Sequence, residues 1–303
     1  MIITAAEPFY IYIMLLTIFI AHVRLLEKSL DRVGPIQFFM HKLYAVIEPV
    51  ILRITDYLIT KKRITESVPG MALLRFIATA SHYLPHGVVI TTKAAERFMD
   101  YIETVEGPAG ARIAVGPCVC QRSLNRWNEP SCKDIVILYG AEIYRHLNLG
   151  YRVITAAEAK NIVRQCRDAG LVHSIDFCMQ TGKWAFVLCN CDSKICVLTR
   201  TFILTGKFIY AGPEIVALKA DKCLGEKKCG HCIRVCMFGV NSSTGTKPSV
   251  AFDRCLGCGQ CSRVCKGKAR SMSPRFDYGH ERVVPAEILL GQGTGKTTAS
   301  ARK

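Results

Sequence analysis

No cleavable secretion signal is legible at the start of this chain. The apolar stretch at residues 8–23 has neither a basic n-region nor an A-x-A-like cleavage site. Sixteen cysteines without such a signal point to a reducing compartment and away from a disulfide scaffold. A P-loop is also missing: the run from Gly291 to Gly295-Lys296-Thr297 is one residue too short, and Leu290 stands where the first glycine belongs. No Rossmann fingerprint, Ser-His-Asp set or paired-carboxylate site stands out, so nucleotide binding and hydrolysis have no residues to carry them. Zinc fingers, helix-turn-helix patterns and RNP-type aromatic motifs are absent, and the basic residues are scattered rather than striped, which makes nucleic acid the weakest partner. Acidic residues are in short supply, with 24 Asp and Glu against 40 Lys and Arg, a formal charge of +16. An anionic membrane surface or an acidic redox partner remains to account for that excess.

Against these absences stand two cysteine runs that read as one motif written twice. The first is Asp221-Lys222-Cys223-Leu224-Gly225 and then Cys229-Gly230-His231-Cys232-Ile233-Arg234-Val235-Cys236. The second is Asp253-Arg254-Cys255-Leu256-Gly257 and then Cys258-Gly259-Gln260-Cys261-Ser262-Arg263-Val264-Cys265. The copies differ in length only by residues 226–228, and the second keeps a C-x2-C-x2-C-x3-C run. Zinc sites favour two C-x2-C pairs set well apart, whereas each copy here is a tight triplet plus one. Residues 215–270 therefore resemble a dicluster ferredoxin domain, in which a duplicated strand, ligand loop, helix and strand unit wraps two cubanes. In such domains the fourth cysteine of each run ligates the other cluster. The resemblance implies one [4Fe-4S] cluster on Cys223, Cys229, Cys232 and Cys265, and a second on Cys255, Cys258, Cys261 and Cys236. Two departures mark this chain: Met237 and Lys266 replace the usual proline after the fourth cysteine, and the insertion lengthens the loop around Cys223.

Six further cysteines form two local sets: Cys118, Cys120 and Cys132, then Cys189, Cys191 and Cys196. Alternate residues of a loop can turn both thiolates of a C-x-C pair toward one soft metal. The pieces Cys118-Val119-Cys120-Gln121-Arg122, Ala169-Gly170-Leu171-Val172-His173 and Cys189-Asn190-Cys191 are similar to a group of prokaryotic ferredoxin-domain proteins. In that group C-x-C-R, A-G-L-V-H and C-N-C motifs precede the dicluster repeat. Here Gln121 intervenes before the arginine, and the loop after Cys191 holds fewer cysteines. The functional reading is a third metal site, another iron–sulfur cluster or a structural zinc, built from some four of the six thiolates. The competing reading is reduced core cysteines, among the most buried of residue types. Cys166, Cys178 and His173 read as core.

Residues 8–23 carry no formal charge and, at sixteen residues, fall just short of the ~18–20 that span a bilayer. If they span, Arg24, Lys28 and Arg32 keep the rest of the chain cytoplasmic. Residues 36–59 repeat apolar positions at helical spacing, with Pro49 expected to kink or split the helix. The stretch from Pro69 to about residue 110 reads as helical with breaks, including 92–105, and residues 134–147 as a helix. Thr155 and Glu158 form a capping box for a helix that stops at Gly170, and strands are expected over 171–178 and 183–189.

The fold class expected is α+β: an N-terminal helical membrane or partner anchor (1–66), a cysteine-rich domain, helical and then mixed α/β (67–210), a ferredoxin-like dicluster domain (211–272) and a basic flexible tail (273–303). The function expected is that of an iron–sulfur electron-transfer subunit of a membrane-associated oxidoreductase complex, on the cytoplasmic side of the cell membrane. It passes electrons between redox protein subunits through two [4Fe-4S] clusters, with no catalytic residue of its own, no nucleic acid and no nucleotide. The alternative is a metalloenzyme whose active metal sits among Cys118, Cys120, Cys189 and Cys191 and is fed by the ferredoxin clusters. A structural adaptor, whose clusters only hold the fold, is the third class.

Overall fold

The computed structural model describes residues 35–80, 86–104, 112–177, 185–279 and 284–291, so the apolar stretch at 8–23 lies outside the described residues. The protein is a mixture of helix and strand. Its body is a seven-stranded sheet ordered β4-β2-β3-β6-β5-β1-β7. The strands are β1 (His86–Ile90), β2 (Ile113–Pro117), β3 (Cys132–Ile137), β4 (Arg152–Val153), β5 (Val172–Phe177), β6 (Ala185–Cys191) and β7 (Ile209–Tyr210). Neighbours run antiparallel except β1 and β7, which are parallel.

Helices cover both faces, because successive side chains of a strand point to opposite sides. Ile113, Val115, Ile135, Ile137 and Leu188 face one layer, formed by α4 (Thr92–Thr104) and α7 (Ala156–Asp168). Ala114, Val136 and Val187 face the other, formed by α1 (Pro35–Thr60), α3 (Val68–Ala80) and α6 (Tyr139–His146), with the single turn α2 (Lys62–Thr65) between α1 and α3. Cys189 and Cys191 alternate with Val187 and so belong to the α1 face. Residue 118 opens the short α5 (Val119–Leu124), and residue 196 opens α8 (Val197–Thr205).

Several elements differ from the sequence-based expectation. Pro49 does not split the first helix, which runs unbroken through it; burial of the apolar Tyr44, Ala45 and Leu52 along one side offsets the lost backbone hydrogen bond. The segment expected as a helix from 134 is strand β3 first and helix α6 only from Tyr139. A central strand, β1, occupies the region expected to be helical. Both strands are covered on two sides, so they read as apolar runs without the alternation that marks a half-exposed strand. The capping box forms, with Glu158 N–H donating to the Thr155 hydroxyl at 3.2 Å. The region beyond 273 is not all tail: α11 (Ala286–Leu290) buries Leu289 completely against the core.

Among the described residues no helix is long and apolar enough to cross a membrane. Helix α1 does leave a second apolar row exposed, Phe39, Leu43, Val46 and Val50.

His173 on β5 is 1 % exposed, with its Nδ1 2.6 Å from Asn190 Oδ1 and its Nε2 3.0 Å from Thr92 Oγ1. Burial pulls its imidazole from 6.5 down to about 4, with the Asn190 hydrogen bond opposing. The unfolded chain therefore binds this proton more tightly than the folded one. The stability that follows is complete above the unfolded value and is lost as pH falls toward about 4, by about 3 kcal/mol. Urea midpoints measured between neutral pH and that acid limit should fall further for the native chain than for His173→Gln; equal falls would refute this account.

Candidate metal centres

The repeat packs on the sheet as two hollows. Strands β8 (Glu214–Leu218) and β11 (Arg270–Pro274) pair antiparallel, and the small hairpin of β9 (Asn241–Ser242) and β10 (Ser249–Val250) lies between the copies. Each copy repeats the same local path: one 3-10 turn, the ligand loop, a glycine in left-handed conformation (Gly230 or Gly259), then a short helix, α9 (His231–Val235) or α10 (Gln260–Arg263). Gly257 has φ +84°, and a Cβ there would lie 2.0 Å from the Glu214 carbonyl oxygen, so the loop between Cys255 and Cys258 closes only around glycine.

One hollow is lined by Cys236, Cys255, Cys258 and Cys261, the other by Cys223, Cys229, Cys232 and Cys265. Each thus takes three cysteines from one copy and the fourth from the other. Counted out to solvent, the free space is about 370 Å³ in the first and about 320 Å³ in the second. Backbone N–H groups aim at the crossing sulfurs in matching fashion: Val240 donates to Cys236 Sγ at 3.4 Å, and Ala269 to Cys265 Sγ at 3.2 Å. Burial pushes the Cys258 thiol to about 12 and the Cys261 thiol to about 11, so these groups stay protonated until a metal displaces the proton.

Arg270 tests whether the hollow around Cys223 suits an anionic group. It is 5 % exposed, its Nη1 donates to Asn241 Oδ1 at 2.6 Å, and its buried Nη2 has no hydrogen-bond partner. A buried guanidinium donor without a partner is costly. It lines the same hollow as the four thiols, and four thiolates on an iron–sulfur core carry the negative charge that it lacks. The donor set and the charge fit.

Five of the other six cysteines meet as well. Cys118, Cys120, Cys189, Cys191 and Cys196 line a cavity between α1 and the sheet. Cys132, exposed at the start of β3, is not among them. Thiol contacts link Cys118 to Cys120, Cys120 to Cys196, Cys196 to Cys191 and Cys191 to Cys189. Cys196 is the centre of that chain. Hydrogen bonds from Cys120 and Cys191, and from Thr199 at the start of α8, hold its thiol well below the usual range. Among the described residues, no three His, Cys, Asp or Glu side chains converge on a single-ion position. A cubane places its thiolates on separate irons, so its ligands need not converge on one point.

No family model, curated protein or solved structure matches this chain. The geometry alone carries the functional argument.

That cavity also holds acids for which the motifs gave no sign. Glu48 on α1 accepts from the Tyr144 hydroxyl at 2.6 Å, and burial lifts its carboxyl to about 7. Asp134, which accepts from Tyr151, is lifted by burial to about 6, and Asp176, which accepts from Ser174 at 2.8 Å, to about 7. Lys133 is 1 % exposed and donates to Asn128 Oδ1 at 2.7 Å. The three acids come from three separate elements, α1, β3 and β5, and no sequence spacing relates them. Arg270 did leave a trace, because it stands five residues after Cys265 as Asn241 stands five after Cys236.

A single helix joins the two regions. Cys196 caps α8, Leu198 on its first turn lines the cavity, and Phe202 one turn on meets Phe238 edge to face at 5.7 Å. Phe238 lines the hollow of Cys236, Cys255, Cys258 and Cys261.

Proposed function

We propose that this protein is an iron–sulfur electron-transfer protein that holds two [4Fe-4S] clusters, one in each hollow of the repeat. The observation that carries this reading is the sorting of the eight repeat cysteines into two fours, each crossing between the copies. Bound there, the clusters would take and give single electrons; the chain's own part is to ligate, exclude water and set the potential by N–H···S bonds and by Arg270. The fold is then an α+β chain with a ferredoxin-like dicluster domain at 211–272 behind a cysteine-rich α/β body, in the prokaryotic group with C-x-C-R, A-G-L-V-H and C-N-C motifs. The exposed row Phe39, Leu43, Val46 and Val50 supports contact of α1 with a membrane or a partner subunit at the cytoplasmic face.

A specific observation favours a second reading, in which the middle cysteines hold a third metal that does chemistry. The cavity beside them has about 1040 Å³ of free space, about three times either hollow, and buried carboxyls on its wall. Counted out to solvent as the hollows are, that space leaves room beside the thiols, and the carboxyls are groups that can take and give a proton. Iron, sulfide and zinc counting on anaerobically purified protein tests both readings. About eight irons with matching sulfide are expected from the two hollows, and metal beyond that from the middle site. Absence of iron would end the first reading, and eight irons with no other metal would end the second.

A further inference from the structure

The two hollows are not equivalent in position or charge. The hollow containing Cys236 is pressed on the sheet body: Gly212 N–H donates to the Leu256 carbonyl at 3.0 Å, and Gln260 Nε2 to the Leu171 carbonyl at 2.6 Å. At Gly259 the loop passes so close to Thr91 that a Cβ would lie 3.2 Å from its Cγ2. The hollow containing Cys223 is turned outward, with Leu224 47 % exposed beside it. Exposed lysines frame that outer hollow. Lys222 precedes its ligand Cys223, Lys227 and Lys228 precede Cys229, Lys247 precedes Pro248, and Lys266 and Lys268 flank Gly267. Only two acids stand in the same loops, Asp221 and Glu226. Glu226 is already engaged, since its carboxylate accepts from Thr244 N–H at 2.7 Å and from the Ser243 hydroxyl.

We propose that this lysine-framed face docks an acidic one-electron redox protein, and that electrons enter the chain there, at the Cys223, Cys229, Cys232 and Cys265 hollow. The proposal deepens the cluster reading and rests on it for the electron step alone. One electron leaves the partner's reduced centre, which is oxidised, and reduces the outer cluster; no bond or proton moves. A cluster in the inner hollow would receive it next, reduced as the outer one is re-oxidised. Complementary charge raises the rate of such encounters and fixes their orientation, and salt screens it. Lys222, Lys228 and Lys266 each stand next to a ligand cysteine, which brings the partner's acids close to the cluster without burying an unpaired charge.

An acidic plant-type ferredoxin serves as the probe. Carbodiimide, which joins lysine amines directly to carboxylates, should cross-link it to Lys222, Lys227, Lys228, Lys266 or Lys268, as read by mass spectrometry. In stopped flow, the reduced ferredoxin should reduce the full chain about tenfold more slowly at physiological than at low ionic strength. Reversing Lys227, Lys228, Lys266 and Lys268 to Glu should cost a similar factor. Reversing Lys42, Lys62, Lys93 and Lys207, exposed on the body, changes net charge equally and should cost far less. Equal losses in both variants, cross-links confined to the body, or no loss in either would overturn the proposal. So would rim-dependent binding to anionic vesicles without ferredoxin cross-links, which would assign the face to lipid. Iron-free protein that still cross-links at the rim would keep the docking face and remove the cluster reading instead.

Discussion

Cys236→Ala is expected to strip iron from the hollow of Cys255, Cys258 and Cys261 while leaving the cluster next to it in sequence, at Cys229 and Cys232, in place. Cys265→Ala is expected to do the reverse. Each variant should retain about half of the iron and sulfide of the two clusters, so metal content alone does not separate crossed from uncrossed ligation. Alkylation of the native protein does. In Cys236→Ala the thiols of Cys255, Cys258 and Cys261 should become reactive, and Cys223, Cys229, Cys232 and Cys265 should stay protected. The reason is geometric: Cys236 lines the hollow of the second copy and not that of its own. Exposure of Cys229 and Cys232 in that variant would show that the fourth cysteine serves its own copy.

The second large effect concerns the middle cysteines. Cys196 touches both Cys120 and Cys191, so it is the one sulfur whose removal breaks the chain of contacts into two pairs. Cys196→Ser should abolish the metal in excess of the repeat clusters and leave about eight irons untouched. Cys132→Ser should change neither number, because that thiol lies exposed at the start of β3 and does not line the cavity. Metal analysis of both variants, with far-ultraviolet circular dichroism as a check on folding, decides the matter. Retention of the extra metal in Cys196→Ser, or its loss in Cys132→Ser, would show that the cavity sulfurs do not hold it.

The repeat was the most legible part of the chain, because ligand spacing is a local property and the motif occurs twice. The capping box at Thr155 and Glu158 was legible for the same reason: its two hydrogen bonds join residues three apart. What escaped was non-local. Strands β1 and β3 are covered on both faces, and Val88, Val89 and Ile90, like Ile135, Val136 and Ile137, give no alternation to read. Glu48, Asp134 and Asp176 look like ordinary surface acids in sequence, and only the packing of α1 against the sheet makes them buried. Cys132 was grouped with Cys118 and Cys120 by proximity along the chain, and its backbone does pair beside Cys118, but its side chain at the start of β3 is exposed and does not line the cavity. Aligning the copies beyond their last cysteines would have paired Asn241 with Arg270, the two residues that hydrogen-bond across the repeat.

The crossing of the copies has a mechanical consequence. Helix α9 carries Cys232 of the outer hollow and is followed at once by Cys236 of the inner one; α10 carries Cys261 of the inner hollow and leads to Cys265 of the outer. Each short helix is therefore pinned at its two ends to different hollows. With both hollows filled, each cluster would hold one end of both helices, so the loss of one would leave the other its four ligands and slacken the two helices that carry them.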